Sequence, residues 1–296
     1  MTQLDRIAPP SSAITQLLWP GVCDLRRHIK LLSDVYARGA AMSYPVRGRR
    51  RPPIHWKAAV SVRKRWHRLR RLWRPDRSIE DCWFFGAHFK VSRDNPLGRE
   101  MLLQRFEWLQ IPAMLKACRE LRPAAFIDIG ANFGVYTCII GRQKLAGRLI
   151  AFEPNPTVAV RLREHLQLNG LAAVEVHEAA AGAKPHKAAL TRCPSGYDPL
   201  ASVVAADPGG FEIDVVALDD TVSFTGAPLV VKVDVEGYEL EVLQGAKNLF
   251  AQNFGYAQIE CFDEPREKAV IKLMAENGWR PSDHIVEDLV FRRDRI

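Results

Sequence analysis

The chain of 296 residues is 47% hydrophobic, 26% charged and 9% aromatic. That balance excludes a wholly disordered chain, a collagen-like chain and a small disulfide scaffold, and the length suffices for one large domain or a domain with an appendage. The net charge of +8 is concentrated in one arm: residues 47–77 hold 13 Lys and Arg against the single acid Asp76, a net +12, so the remainder carries −4.

No run of 18 apolar residues supports a transmembrane helix. Residues 1–22 do not read as a secretory signal, since Asp5 and Arg6 precede only a short apolar stretch that ends at Pro20. Six scattered cysteines (Cys23, Cys82, Cys118, Cys138, Cys193 and Cys261) form no CxxC and pair with no nearby His at zinc spacing. Reduced, mostly buried thiols in a cytoplasmic protein are the expectation.

Residues 1–80 read as a basic, Pro- and Arg-rich extension, partly disordered or helical. Trp66, Leu69 and Trp73 fall at i, i+3 and i+7, one narrow apolar stripe on a helix otherwise covered by arginine. Such a helix needs an acidic surface, a membrane or the main domain to lie on.

From residue 81 the chain reads as globular. CWFFGAHFKVS (82–92) predicts a strand or hairpin, and residues 98–121 predict helix with a break or second start at Pro112. AAFIDIG (124–130) predicts a strand, and 132–144 a helix. GRLIAFEP (147–154) predicts the next strand, and 157–170 a helix closed by Gly170. Residues 172–180, 187–193 and 211–218 predict strands, with a long polar loop between the last two that carries Tyr197, Asp198 and Ser202. LVVKVDVEG (229–237) predicts a buried strand, 238–250 a helix, 255–262 a strand, 264–278 a helix and 288–293 a final strand. Alternating strands and helices with continuous apolar strands predict a parallel sheet covered on both faces.

The first strand ends in Asp128-Ile129-Gly130-Ala131-Asn132-Phe133-Gly134. Gly130 permits a tight turn, and Gly134 lets the following helix sit close to a ligand or to the sheet. The dinucleotide fingerprint GxGxxG is absent. An acid two residues before the first glycine would repel a pyrophosphate and suits a ligand with a positive group, such as S-adenosylmethionine. The next strand ends in Glu153-Pro154-Asn155, and an acid at that strand tip can accept hydrogen bonds from both ribose hydroxyls. An alternative for Glu153 is a helix N-terminal charge before Pro156.

These residues resemble the FkbM-type S-adenosylmethionine-dependent methyltransferases. The resemblance rests on FIDIGANFGVYT (126–137), IAFEPNP (150–156) and VVKVDVEGYELEVLQGA (230–246), and runs through residues 126–283. It implies an α/β, class I, Rossmann-like doubly wound sheet of seven mostly parallel strands, with the last reversed. It implies methyl transfer to oxygen on a glycan or secondary metabolite. Asp128, Gly130, Ala131, Asn132 and Gly134 would line the methionine part of the cofactor. Glu153, with Pro154 and Asn155, would hold the ribose, and Ala179 and Ala180 would lie near adenine. Many related methyltransferases carry an acid at that last position; here it is Ala.

Lys232, Asp234 and Glu236 fall on one side of the fourth strand in simple alternation. Asp234 or Glu236 is a candidate general base. Asp234 is equally a candidate for the cofactor ammonium, Glu236 for a helix cap, and Lys232 for an ion pair with either acid. Asp234, Glu236 and Glu260 are also placed to converge on a divalent ion, but no spacing commits to a metal. The acceptor is expected to be a small molecule or a glycan. Residues 47–77 suggest contact with an anionic membrane surface. A nucleic-acid methyltransferase is the alternative, as is a non-catalytic cofactor-binding module; the acidic globular part and the lack of an NPPY-like motif weigh against nucleic acid.

Overall fold

The computed structural model describes residues 79–191, 203–204 and 210–295. The basic arm at 47–77 and the loop residues Tyr197, Asp198 and Ser202 lie outside the described residues. No described helix is long and apolar enough to cross a membrane.

A hairpin of β1 (Ile79–Phe84) and β2 (Ala87–Ser92) opens the described chain. Helices α1 (Pro96–Leu102) and α2 (Gln110–Leu121) follow. The break that the sequence placed at Pro112 falls earlier, at residues 103–109. Pro112 lies in the first turn of α2, where a missing N–H costs nothing. The connection carries two non-glycine residues at positive φ, Gln104 (60°) and Glu107 (40°).

The main sheet begins with β3 (Ala125–Ile129), α3 (Val135–Arg142), β4 (Arg148–Phe152), α4 (Pro156–Leu168) and β5 (Glu175–His177). Four short strands then leave it: β6 (Ala180–Ala181), β7 (His186–Leu190), β8 (Val203–Val204) and β9 (Phe211–Val216). They pair in the order β6-β9-β7-β8 as a separate sheet. The continuous strand expected over 172–180 is therefore two strands in two sheets. A short helix α5 (Leu218–Thr221) leads back to β10 (Pro228–Val233), α6 (Glu239–Gln244), α7 (Lys247–Gln252), β11 (Phe254–Glu260), α8 (Glu264–Glu276), β12 (Arg280–Ile285) and β13 (Asp288–Arg293). Gly245 divides the single helix expected over 238–250: a Cβ there would sit 1.9 Å from the Gly182 carbonyl oxygen. β12 was not legible, because it exposes Arg280, Pro281 and Ser282 and lies at the sheet edge.

The seven strands run β12-β13-β11-β10-β3-β4-β5. β11, β10, β3, β4 and β5 are parallel, and β13 is antiparallel to both its neighbours. This is the mostly parallel, doubly wound sheet with a reversed last strand. Its pleat divides the core. Phe126, Ala151, Val230 and Tyr256 pack with α2, α3, α4 and the hairpin, while Ile127, Ile129, Phe152, Val231, Val233 and Ile259 pack with the helices that follow β9. At about 25 cal/mol per Å² of apolar surface, both buried faces contribute to the stability of these strands. The chain reverses direction across the sheet between β3 and β10, which opens a crevice at the carboxyl ends of the strands.

Candidate active site

A cleft of about 330 Å³ occupies that crevice. One end is built from the tips of β3 and β4. Gly130 and Ala131 donate their amides to the Phe152 carbonyl at 3.0 and 2.9 Å, which folds the loop after β3 back onto β4. The Asn132 amide then reaches Glu153 Oε2 at 2.8 Å, and the Asn155 amide reaches Glu153 Oε1 at 2.9 Å. The Glu153 carboxylate, 7% exposed, is thus held by two backbone donors, and each oxygen keeps a further lone pair. Burial nevertheless pushes its carboxyl up to about 7, against the pull of those amides.

Asn155 caps α4: its Oδ1 accepts from the Thr157 and Val158 amides at 3.0 and 3.4 Å, with Pro156 at the first helical position. The cap belongs to Asn155 and leaves Glu153 to the cleft. Ala179 and Ala180 line the same end. The neighbouring Glu178 turns outward to Arg163, at 2.7 Å.

Of the residues expected against the ligand, Gly134 lies outside the cleft lining, while Asp128 and Gly130 line it and also serve the fold. Gly134, at φ 86°, starts α3, and a Cβ there would lie 2.4 Å from Leu162 Cδ1. Gly134 is absent from the cleft lining; it brings α3 against α4. Asp128 lines the cleft but is 2% exposed, and its Oδ2 accepts from the Thr137 amide (3.1 Å) and the Thr137 hydroxyl. Burial pushes its carboxyl up to about 6. Gly130 lines the cleft, yet its lack of a side chain answers to the protein: a Cβ would sit 1.7 Å from the Asp234 carbonyl oxygen.

The other end is a network of side chains from across the sheet. Asp128, Lys232 and Gln258 stand in register on β3, β10 and β11. Lys232, 1% exposed, places Nζ 3.0 Å from Asp288 Oδ1 and 4.0 Å from Asp234 Oδ2. Burial disfavours its charge, but Asp288, Asp234, Glu107 and Glu260 outweigh that and hold it protonated. Gln258 Nε2 donates to Asp288, and the Tyr256 hydroxyl donates to Gln258 Oε1 at 2.9 Å. Glu260 hydrogen-bonds Asp234, and burial together with that neighbour raises its carboxyl pKa. Glu236, at φ 49° in the turn after β10, lines the cleft; burial and then the charges of Asp234 and Glu239 push it up to about 7.

Sequence reading missed three side chains here: Glu107, Tyr136 and Asp288. The Tyr136 hydroxyl donates to Glu107 Oε2, and Lys232 Nζ lies 5.7 Å from the centre of the Tyr136 ring. No spacing could signal a contact between residues 107, 136, 232 and 288. Among the described residues, no group of three His, Cys, Asp or Glu side chains is arranged to hold a metal ion.

Residues 128–281 match the family model of the methyltransferase FkbM domain, just over half of the chain. The chain is 32% identical over 152 residues to a hexuronic acid methyltransferase, AglP, of Haloferax volcanii, a match covering 50% of this chain and 60% of that protein. It is 22% identical over 225 residues to Methyltransferase 1 of Beauveria bassiana, covering 64% of this chain and 90% of the relative. Among solved structures, methyltransferase FkbM of Methylobacillus flagellatus aligns with a TM-score of 0.42 at 18% identity, covering 58% of this chain and 44% of that one. The family match spans the loop after β3, the Glu153 strand tip and the Lys232–Glu236 strand end, and with it the chain belongs to the FkbM methyltransferase family.

Proposed function

We propose that the chain is an S-adenosylmethionine-dependent O-methyltransferase whose acceptor is a hydroxyl of a glycan. The observation that carries the donor assignment is Glu153: a buried carboxylate at the β4 tip, fixed by the Asn132 and Asn155 amides and retaining a lone pair on each oxygen. That pair of acceptors suits the hydroxyl donors of a vicinal diol, and it repels a pyrophosphate. Asp128 and Asp234, at the adjoining strand tips, suit a ligand that carries positive charge. The named substrate of the Haloferax relative, a hexuronic acid, supports a sugar acceptor.

In this reading Glu153 holds the ribose hydroxyls, and the alanines at 179 and 180 pack against the base. Asp234, anchored through Lys232, faces the amino-acid part. The bound donor supplies a methyl group on a sulfonium, a good leaving group. The protein's own task is to hold the acceptor oxygen in line, a contribution of about 7–11 kcal/mol in favourable cases. The net +12 of residues 47–77 against −4 elsewhere supports a role for the arm in bringing the enzyme to an anionic membrane surface that carries the acceptor.

Titration calorimetry with S-adenosylmethionine and with NAD tests the donor. S-adenosylmethionine should bind and NAD should not; the reverse result removes the proposal. Asp234→Asn should lower turnover more than it lowers stability. Full activity in that variant would take Asp234 out of the site.

A further inference from the structure

The acceptor end of the cleft is walled by residues that precede the matched domain. Pro96, Leu97, Glu100, Phe106 and Glu107, from α1 and the connection to α2, line it together with Lys232, Asp234 and Glu260. Of the two carboxylates on that wall, Glu100 pairs with Arg105, and Glu107 lies within reach of the charges of Lys232, Asp288 and Asp234. Glu107 stands at φ 40°, a left-handed conformation that a non-glycine residue keeps only where surrounding structure enforces it. Its carbonyl accepts the Ile111 amide at 3.1 Å, which ties the strained residue to the start of α2. Its Oε2 accepts the Tyr136 hydroxyl, and its Oε1 takes no hydrogen bond among the described residues.

Several other carboxylates of the cleft are committed elsewhere: Glu100 pairs with Arg105 and Glu260 with Asp234. Glu153 is held by two amides, Asp128 by Thr137, and Asp234 by Glu260 and Lys232. Lys232 is the only basic side chain among the described lining residues, and Asp288 already holds it. Among the described lining residues an anionic acceptor would find no unpaired cation, whereas an uncharged hydroxyl would find a carboxylate.

We propose that Glu107, oriented by Tyr136, is the general base that receives the proton of an uncharged sugar hydroxyl. This rests on the methyltransferase reading above. The acceptor O–H bond breaks and its proton passes to Glu107 Oε1. The oxygen's electron pair forms the O–CH3 bond, while the donor's S–CH3 bond breaks and its pair stays on sulfur, so a sulfonium becomes a thioether. Burial, with the charges of Asp288 and Asp234, pushes the Glu107 carboxyl up to about 8 against the opposing pull of Lys232 and Tyr136. A base poised near working pH is the efficient one.

The test compares the full chain with Glu107→Gln, Glu107→Asp and Tyr136→Phe. Labelled S-adenosylmethionine is offered with neutral hexose oligosaccharides and with glucuronides. Glu107→Gln should lower kcat on the neutral sugars by roughly 10²–10⁴-fold, and Glu107→Asp should recover part of the loss. Calorimetry should leave donor affinity within about threefold in every variant. The wild-type rate should rise with pH through about 8, and that limb should vanish in Glu107→Gln.

A readout without substrate accompanies these. The folded carboxyl titrates near 8 and an unfolded Glu near 4.5, so wild-type stability falls between those values as pH rises. Glu107→Gln lacks that loss and should melt higher than wild type at pH 8 but not near pH 4.5. An unchanged kcat in Glu107→Gln, or a lower Tm at pH 8, overturns the base assignment. Wild-type protein that binds the donor yet prefers glucuronides, or methylates no sugar, overturns the acceptor class. Wild-type protein that fails to bind the donor overturns the methyltransferase reading instead.

Discussion

The two ends of the cleft are built on opposite principles. At the β4 end, backbone amides within 25 residues of one another hold a single carboxylate, Glu153, and the groups that place it come from consecutive motifs. At the β10 end, side chains from residues 107, 136, 232, 234, 260 and 288 hold one another, with Lys232 at the centre. The first is a rigid local cradle that suits an invariant ligand part. The second is a charge-balanced cluster in which each member depends on the rest, and it borrows its outer wall from residues before the matched domain. A fold can therefore keep its donor end while exchanging the segment that faces the acceptor.

This contrast can be broken most sharply at Lys232. Lys232→Met leaves Asp288 and Asp234 without their cation in a buried setting and should cost about 3–5 kcal/mol in denaturant unfolding. A loss below 1 kcal/mol would mean that the cluster does not depend on its centre. The other end should behave differently. Glu153→Gln should weaken S-adenosylmethionine binding by roughly tenfold to a hundredfold in calorimetry, because charged hydrogen bonds are worth about 1.5–3 kcal/mol, with a smaller loss of stability than Lys232→Met because only one backbone amide loses its acceptor.

A pH series sharpens the same point. In the proposed binding mode the ionised form of Glu153 accepts the ribose hydroxyls, and burial places its folded carboxyl near 7. Donor affinity should fall as pH drops through 7, and Glu153→Gln should abolish that dependence. The smallest effect on donor affinity belongs to Gly134, which serves packing. Gly134→Ala should cost about 1–3 kcal/mol through its positive φ and the Leu162 contact, with donor affinity per folded molecule preserved. A selective loss of donor affinity in a stably folded Gly134→Ala would return this glycine to the ligand.

The elements around the β4 end were legible because their signals are local. Apolar runs at 126–129 and 229–233 identify strands buried on both faces, and the acid and glycines after β3 mark a loop that must turn sharply. Asn155 before Pro156 marks a helix start. The small sheet of β6–β9 was not legible. Its strands are two to six residues long, and nothing local says whether Ala180 continues β5 or pairs with Val215 on β9. The split at residues 103–109 was equally hidden, since helix propensity runs through it and only tertiary enclosure holds Gln104 and Glu107 at positive φ.

The amino-acid sequence by itself determined the alternation of strands and helices, the family, the separation of a +12 arm from a −4 body, and the carboxylate at the β4 tip. Each follows from residue order within a few tens of positions. Tertiary structure alone decided what each charged group faces. It gave Asp128 to Thr137, Lys232 to Asp288 and Gly134 to Leu162, and it brought Glu107 beside Tyr136. The physical reason is burial: once enclosed, a charge must be met by whichever groups the sheet places beside it, however far apart they lie in the chain.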